Sequence, residues 1–229
     1  MSLNFLKRII TSFILLSLLI IINFSHQYFF ILSILILGMI ICLEANNLFS
    51  KILITKYSKK KPTLNQFNIK FVILNIVTFC YIFFIFCNLS YEIHETKGSF
   101  FFLYVVSICF FTDIGGYFFG KIIGGKKLSK ISPNKTISGT FGSFVFSIFP
   151  LMIALNFEYL NLEFNLTNII FCLLISLISQ IGDLFISFIK RKANIKDTGK
   201  ILPGHGGVLD RLDGIIFAVP FSYFLLQLI

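Results

Sequence analysis

Charged and small polar residues concentrate near the carboxyl end of the chain, between Ser187 and Asp213. The segment reads SFIKRKANIKDTGKILPGHGGVLDRLD and carries cations, three aspartates, a histidine and four glycines. It follows directly on an apolar run of membrane-spanning length. Ionisable groups at a membrane are costly and usually functional, so this segment is the first candidate for chemistry.

A carboxylate, a hydroxyl and one or two cations line one stripe at the end of that apolar run. In a helix, Ser187 follows Asp183 by one turn, and Lys190 lies nearly on the same face one turn later, flanked by Arg191. A non-catalytic interpretation also accounts for the stripe: Lys190 and Arg191 would extend to the lipid headgroups, and Asp183 would be their counter-ion. Periodicity alone leaves both interpretations open.

The loop that follows favours a catalytic interpretation. His205 lies between glycines, where a packing role is uncommon, and Asp210 and Asp213 are one helical turn apart beside Arg211. Carboxylates with adjacent cations suit phosphoryl or nucleotidyl transfer from a metal-bound nucleotide, and oxygen ligands favour magnesium. The glycines that allow close backbone approach are Gly199, Gly204, Gly206 and Gly207.

A second polar group begins inside the fourth apolar run. Asp113 and Tyr117 lie within that run, and a glycine- and lysine-rich stretch leads from it to Ser132, Lys135 and Thr136. The composition predicts a basic loop over residues 120–139 that cradles phosphates through backbone N–H and ammonium groups.

This loop lacks the P-loop pattern, since the lysine of Gly120–Lys121 is followed by isoleucine. A flexible loop whose lysines only fix membrane topology is the alternative interpretation. The motifs at the carboxyl end favour the phosphate-binding one.

The composition predicts an all-α integral membrane protein. Hydrophobic residues make up 56% of the 229 residues and charged residues 13%, with a mean hydropathy of +0.89. The excess of 20 Lys and Arg over 10 Asp and Glu needs no nucleic-acid partner, because loop lysines set membrane topology. The five cysteines fall in apolar runs and are expected to be small buried hydrophobes.

Seven apolar runs are long enough to cross a bilayer, and all must be helices because lipid cannot satisfy an open backbone. The first is expected to be a retained span, since no small-residue cleavage site follows it. We expect one membrane domain, with N-terminal helices over 1–99 and a catalytic part over 100–229 that includes loops 120–139 and 190–213. The runs are Ile9–Phe24, Tyr28–Leu43, Phe71–Cys87, Phe100–Phe119, Thr140–Phe157, Leu166–Ile189 and Gly214–Ile229.

The lysines and arginines fall on one side of this arrangement, and only Lys97 falls opposite. The positive-inside rule places that side in the cytoplasm, with the amino terminus inside and the carboxyl terminus outside. The cluster Lys59–Lys61 is interpreted as a topology signal near anionic headgroups. The two outer loops are expected to carry Glu92, Glu95, Glu158 and Glu163.

The order S-x-x-K-R, K-D and P-x-H-G-G-x-x-D-R-x-D across Ser187–Asp213 resembles the signature of the phosphatidate cytidylyltransferases. The earlier group is similar too, since Asp113 and Tyr117 are followed by the motif Ser-Pro-x-Lys-Thr at residues 132–136. One departure is plain: Ile137 and Ser138 stand where the family usually has Trp-Glu. The resemblance runs from about Phe100 to Phe217.

The resemblance implies a membrane enzyme of the bilayer that makes CDP-diacylglycerol and pyrophosphate from CTP and phosphatidic acid. Asp183 and Asp210 would be carboxylates of a divalent-metal centre, with Asp213 nearby. Magnesium is the expected ion. The other signature positions are Ser187, Lys190, Arg191 and His205, and CTP phosphates are expected at Ser132, Lys135 and Thr136.

Two other functions stay open at this point. A related CTP-dependent polyprenol kinase would share the metal and nucleotide chemistry but transfer the γ-phosphoryl group. A transporter would use Asp113 and Asp183 as coupling carboxylates, although most polar residues here lie in loops rather than at the membrane midplane. We expect the inner or plasma membrane as the location, with the site facing the cytoplasm, and leave a homodimer open.

Overall fold

The computed structural model describes residues 3–57, 64–129, 132, 135–157, 160 and 162–228, and in this part of the chain the regular structure is helical, without a β-strand. A π-helical segment, Tyr81–Cys87, joins α3 to α4. The helices are α1 Leu3–Asn23, α2 Gln27–Tyr57, α3 Leu64–Cys80, α4 Asn88–Lys97, α5 Ser99–Ile122, α6 Ile137–Phe146, α7 Phe149–Ala154, α8 Leu166–Lys192, α9 Leu209–Leu212 and α10 Ile215–Leu228.

Within the part of the chain that the structure describes, five helical stretches are long and apolar enough to cross a membrane, which confirms the predicted all-α polytopic membrane protein. The first and last predicted runs form shorter apolar helices, Ile10–Asn23 within α1 and the 14-residue α10. The five longer stretches are Gln27–Thr55, Asn68–Lys97, Ser99–Ile122, Ile137–Ala154 and Leu166–Lys192.

Two helices continue well past the apolar runs that predicted them. Helix α2 does not end at Leu43 but extends to Tyr57, which places Glu44 in mid-helix. The third span continues through α4, so Glu92 and Glu95 lie in a helix and the prediction of an outer loop there is wrong. Loss of apolar character marks where a helix leaves hydrocarbon, not where its backbone hydrogen bonds end.

The boundary between α4 and α5 is a single glycine. Gly98 has a φ of 85°, which an L-residue with a side chain rarely adopts.

Two other features that the sequence predicts, Lys59–Lys61 and Glu158, lie outside the described residues.

The chain divides into two compact units. The first unit comprises Met1–Tyr91 and Ile189–Leu212. In it α2 packs against α1, α3, the π-helical segment and α9. Gly38 of α2 lies so close to the π-helical segment that an added Cβ would be 2.9 Å from Cys87 Sγ.

The second unit comprises Glu92–Phe188 and Asp213–Ile229. Its centre is the packing of α5 against α6, where the two backbones approach through glycine; a Cβ added at Gly142 would lie 2.8 Å from the carbonyl oxygen of Gly115. A buried polar cluster joins three of its helices. Thr112 Oγ1 donates to Ser176 Oγ at 3.0 Å, and Ser143 Oγ donates to the Thr112 carbonyl at 2.8 Å. The prediction of a single membrane domain stays a prediction.

Candidate active site

Residues 193–208, which join α8 to α9 and are called the signature loop below, fold into a series of tight turns. Leu202 and Gly206 exchange backbone hydrogen bonds of 2.9 and 3.1 Å, which leaves Pro203, Gly204 and His205 at the tip of a turn. Gly204 and Gly206 have φ values of 78° and 88°. Residues other than glycine are strained at such φ values, so the turn itself requires glycine at both positions.

Asp210 is held by hydrogen-bond donors on both carboxylate oxygens. Lys190 Nζ lies 2.8 Å from Oδ1, and the two side chains are only 12% and 5% exposed. Oδ2 accepts from the Thr198 N–H at 2.7 Å, the Thr198 hydroxyl at 3.0 Å and the Gly207 N–H at 3.0 Å. Two residues predicted for the site, Lys190 and Asp210, are therefore in direct contact.

These contacts decide the acidity of Asp210. Burial by itself would raise the pKa of the carboxyl, because it disfavours the charged form. The hydrogen bonds from Lys190 and from the N–H groups of Gly207 and Thr198, with the lysine charge, outweigh burial and lower the pKa below its usual value. Asp210 is therefore an ionised carboxylate at neutral pH.

Glu44 is a residue of this region that the sequence analysis did not single out. Its side chain is 3% exposed, and its carboxylate accepts from the N–H groups of Val208 at 3.0 Å and Leu209 at 2.8 Å. Thr198 Oγ1 also lies 3.1 Å from Oε2. The signal that could have found it is a carboxylate directly after the apolar run that ends at Leu43, where a buried charge needs a specific partner.

The signature loop encloses an open cleft of about 580 Å³. The side chains that line it include three cations, Lys196, Lys200 and Arg211, and one carboxylate, Asp197. Glycine backbone supplies much of the remaining wall. A concave surface with excess positive charge and accessible backbone suits a phosphate-bearing ligand.

His205 lines the same cleft and contacts helix α1. Thr11 Oγ1 lies 2.6 Å from its Nδ1, and Ser12 Oγ lies 3.3 Å from its Nε2. The guanidinium group of Arg211 donates to the His205 carbonyl oxygen at 2.7 and 3.2 Å. The histidine that the sequence placed among glycines thus has hydroxyl partners from the amino-terminal helix.

A second charged group lies in the other unit. Lys135 Nζ forms an ion pair with Asp183 Oδ2, and Ser187 Oγ donates to Asp183 Oδ1 at 3.2 Å. Ser187 lies where helical periodicity predicts, one turn after Asp183. The pairing with Lys135 could not be predicted from spacing, because it joins the end of a loop to helix α8.

Thr136, the neighbour of Lys135, caps helix α6. Its Oγ1 accepts from the Gly139 N–H at 3.1 Å and lies 3.0 Å from Ser138 Oγ, which also donates to the Gly124 carbonyl oxygen. Ser138, one of the two positions that depart from the family pattern, therefore ties the start of α6 to the preceding loop. Ser132 accepts from the Lys135 N–H at 3.1 Å through its backbone oxygen, and Pro133 lies outside the described residues.

The predicted phosphate loop is shorter than expected. The interval 120–139 begins inside α5 and ends inside α6, so only residues 123–136 connect the helices. Gly120 is a packing residue, because an added Cβ would lie 3.2 Å from Thr136 Oγ1 and 3.7 Å from Gly139 Cα. Glycine spacing alone does not distinguish close helix packing from a phosphate-binding turn.

The remaining predicted residues occupy separate positions. Asp113 and Tyr117 lie one turn apart on an exposed side of α5, and Lys121 Nζ lies 3.5 Å from the Tyr117 hydroxyl. Arg191 is exposed at the end of α8. Asp213 lies in the turn between α9 and α10, where its Oδ1 accepts from the Gly214 N–H at 3.0 Å.

The two predicted metal ligands differ in how well they fit a magnesium ion. Among the described residues, no group of three or more His, Cys, Asp or Glu side chains is placed to hold a metal. Magnesium in nucleotide sites needs only one or two carboxylates, since phosphates and waters complete its shell. The Asp183 side chain is 24% exposed with one partner on each oxygen and fits this role better than Asp210, which is 5% exposed and accepts from four donors.

Comparisons with known proteins agree with these motifs. The phosphatidate cytidylyltransferase of Bacillus subtilis (strain 168) is 41% identical over 140 residues, which cover 58% of this chain and 50% of that protein. That of Staphylococcus haemolyticus (strain JCSC1435) is 40% identical over 133 residues, covering 58% and 51%. That of Staphylococcus aureus (strain COL) is 42% identical over 136 residues, covering 58% and 51%. The chain spans about half the length of the curated relatives it matches.

The model of the cytidylyltransferase family matches residues 47–229. The matched part includes the Lys190–Asp210 and Lys135–Asp183 pairs, but not Glu44 or the hydroxyls of α1. Because this match covers most of the chain, the protein belongs to the cytidylyltransferase family.

Proposed function

We propose that this chain is a phosphatidate cytidylyltransferase. The phosphate of phosphatidic acid attacks the α-phosphorus of CTP, the bond from that phosphorus to the bridging oxygen breaks, and pyrophosphate leaves as CDP-diacylglycerol forms. The observation that carries the proposal is the signature loop, which forms a cationic cleft beside a fixed Lys190–Asp210 pair. The names of the similar proteins support the same reaction.

The main difficulty of this reaction is the approach of two anions. The attacking oxygen is already part of a phosphate, so the reaction needs no strong general base. Cations that line a cleft lower the repulsion between the acceptor and the triphosphate. Lys196 and Lys200 of the signature loop and Arg211 of α9 supply such charge at the cleft, and Lys135 supplies it before α6.

We assign the CTP phosphates to the segment that contains Ser132, Lys135 and Thr136. Lys135 would exchange its partner, leaving Asp183 for a phosphate oxygen when the nucleotide binds. Thr136 would act through its position, since its hydroxyl caps α6 and fixes the direction of the Lys135 backbone. The exposed stripe of Asp113 and Tyr117 is a further proposed substrate contact.

The proposed cofactor is magnesium, and its proposed carboxylates are Asp183 and Asp210. Asp183 fits the ion better, since Asp210 would first have to release one of its present donors. When bound, the ion would neutralise phosphate oxygens and the charge that develops on pyrophosphate. Lys190 would hold the Asp210 carboxylate in place, and Ser187 would orient Asp183. Arg191, His205 and Asp213 stay proposed site residues.

The proposed setting is the inner or plasma membrane, with the loops that carry the site facing the cytoplasm. Phosphatidic acid would enter from the bilayer and CTP from the cytoplasm. A homodimer stays a prediction that the mass of the detergent-solubilised protein would test.

The deciding experiment supplies the purified protein with CTP, magnesium and phosphatidic acid. We expect pyrophosphate and CDP-diacylglycerol in equal amounts, and no product when a chelator removes the divalent ion. Release of CDP with a phosphorylated lipid would identify a CTP-dependent kinase instead. A protein that binds neither CTP nor phosphatidic acid would overturn the proposal.

A further inference from the structure

The carboxylate of Glu44 is surrounded by backbone of the signature loop and of the start of α9. It accepts hydrogen bonds from Val208 and Leu209 at the start of α9, on Oε1 and Oε2 respectively. The side chain is almost fully buried, and it comes from α2, far away in sequence. A buried carboxylate whose oxygens each receive a backbone N–H is a fixed anchor, since removal of either bond leaves a buried donor unpaired.

The loop backbone is built around this carboxylate. An added Cβ at Gly207 would lie 2.6 Å from Glu44 Oε2, and one at Gly199 would overlap Oε1. Both glycines are therefore required for the close approach of backbone to carboxylate. The close approach to Glu44 is by itself a reason for glycine at both positions.

Glu44 is connected to Asp210 through one hydroxyl group. Thr198 Oγ1 lies 3.1 Å from Glu44 Oε2 and 3.0 Å from Asp210 Oδ2. Its single proton serves both carboxylates, so displacement of one displaces the shared donor of the other. The chain of contacts therefore runs from Glu44 through Thr198 to the Asp210–Lys190 pair.

We propose that Glu44 is a positioning residue for the cytidylyl transfer, although it lies outside the part of the chain that the family model matches. It holds the signature loop so that Asp210 stays paired with Lys190 and the cleft cations keep their spacing. The kinetic part of this proposal rests on the proposed function; the effect on loop order does not.

The test substitutes Glu44→Gln in the full chain. The glutamine amide keeps one accepting oxygen and replaces the other with a donating nitrogen. This nitrogen would face a backbone N–H or the Thr198 hydroxyl, so at least one donor of the loop loses its acceptor. We expect KM for CTP or phosphatidic acid to rise about tenfold or more, as is typical when a residue that orients others without contacting the ligand is changed. Hydrogen exchange at Val208 and Leu209 should become about tenfold faster, and Glu44→Asp should restore part of both effects.

The matched control is Glu95→Gln, which removes one carboxylate from an exposed position of α4 and should change neither quantity. A purely structural anchor would lower the amount of active enzyme and leave both KM values unchanged, and that result would overturn the proposal. Unchanged exchange at Val208 and Leu209 would overturn it as well.

A second variant covers the case in which Glu44→Gln does not fold. Thr198→Val keeps the side-chain shape and removes only the shared hydroxyl, so it should raise KM and speed exchange in the same direction by a smaller factor. Normal values for Thr198→Val would then reject the proposal. If the unmodified protein shows no transfer from CTP, the proposed function fails, and the exchange measurement alone decides whether Glu44 orders the loop.

Discussion

Lys135 and Asp183 form an ion pair that joins the loop before α6 to helix α8. Their side chains are 30% and 24% exposed, so both remain within reach of a ligand from solvent. The lysine is the proposed contact for a nucleotide phosphate and the aspartate the proposed contact for magnesium. A metal–nucleotide complex would supply a phosphate to Lys135 and a cation to Asp183. Each residue would then exchange its present partner for another of the same charge, so neither charge would be left unpaired.

The first prediction concerns Lys135→Ala. The loss of one charge-assisted contact, about 1.5–3 kcal/mol, should raise KM for CTP by roughly 10- to 100-fold. KM for phosphatidic acid should change much less. Steady-state kinetics with each substrate varied in turn measure both values, and Lys127→Ala, an exposed lysine of the same loop, is the control. Equal changes for the two substrates would contradict the assignment to CTP.

The second prediction concerns Asp183→Asn. This change keeps the shape of the side chain and the hydrogen bond to Ser187 but removes the charge that would bind magnesium. Loss of a transition-state metal contact costs several kcal/mol, so turnover should fall at least about a thousandfold. Because Asp183 is partly exposed, the thermal midpoint in detergent should stay close to that of the unmodified protein. Near-normal activity at saturating magnesium would show that Asp183 does not bind the ion.

The third prediction concerns acid stability and Asp210. Its pKa is lower in the folded protein than in the unfolded chain, where an aspartate has a pKa of about 3.9. The stabilisation from this carboxylate is therefore fully present above that value and is lost as the pH falls through the lower, folded pKa.

Thermal midpoints measured from pH 7 down to about pH 2 should show this loss setting in below about pH 4 in the unmodified protein. Asp210→Asn should be less stable at pH 7, because Lys190 then has no charged partner, and should show a flatter decline with acid. Turnover should also fall at least about a thousandfold if Asp210 is the second metal carboxylate. Asp197→Asn, at an exposed position in the signature loop, is the control for acid stability. Equal acid sensitivity of both variants would contradict the assignment.

The sequence predicts local relations in this protein better than distant ones. Ser187 follows Asp183 by one helical turn, and the hydrogen bond between them needs only helix geometry. The pairs Lys135–Asp183 and Glu44–Leu209 join segments that the chain brings together only on folding, so no spacing reveals them.

Two positions show what a residue type does not reveal without its neighbours. The apolar run ends at Leu43, but helix α2 continues, so the sequence pattern gives no sign that Glu44 is buried. The pair Gly120–Lys121 is typical of a phosphate loop, but Gly120 allows α5 and α6 to approach closely. The same glycine serves either purpose, and only the packed helix pair distinguishes them.

The fourth prediction follows from that helix pair. A methyl group in Gly142→Ala would overlap Phe119 and approach the Gly115 carbonyl oxygen to 2.8 Å. Overpacking of this kind typically costs about 1–3 kcal/mol, so the thermal midpoint should fall by several degrees. Phe141→Leu, at a neighbouring position that is 67% exposed, should change it little. A Gly142→Ala protein as stable as the original would mean that α5 and α6 pack less closely than described.

The fifth prediction concerns membrane orientation. Helix α5, Ser99–Ile122, has 24 residues and a length of about 36 Å, enough to cross the hydrocarbon core once. Lys97 precedes it beyond Gly98, and Lys127 follows it, so the two exposed lysines should lie on opposite sides of the membrane. The positive-inside rule places Lys127 in the cytoplasm, because most other loop cations share its side.

Single cysteines at positions 97 and 127 test this directly in sealed cells. The background protein must first lose its five natural cysteines, of which Cys80 is exposed. A membrane-impermeant maleimide should then label position 97 in intact cells and position 127 only after permeabilisation. Labelling of both positions in intact cells would mean that α5 does not cross the bilayer. The reverse pattern would place the loop of Lys135 outside, away from cytoplasmic CTP, and would contradict the proposed function as well.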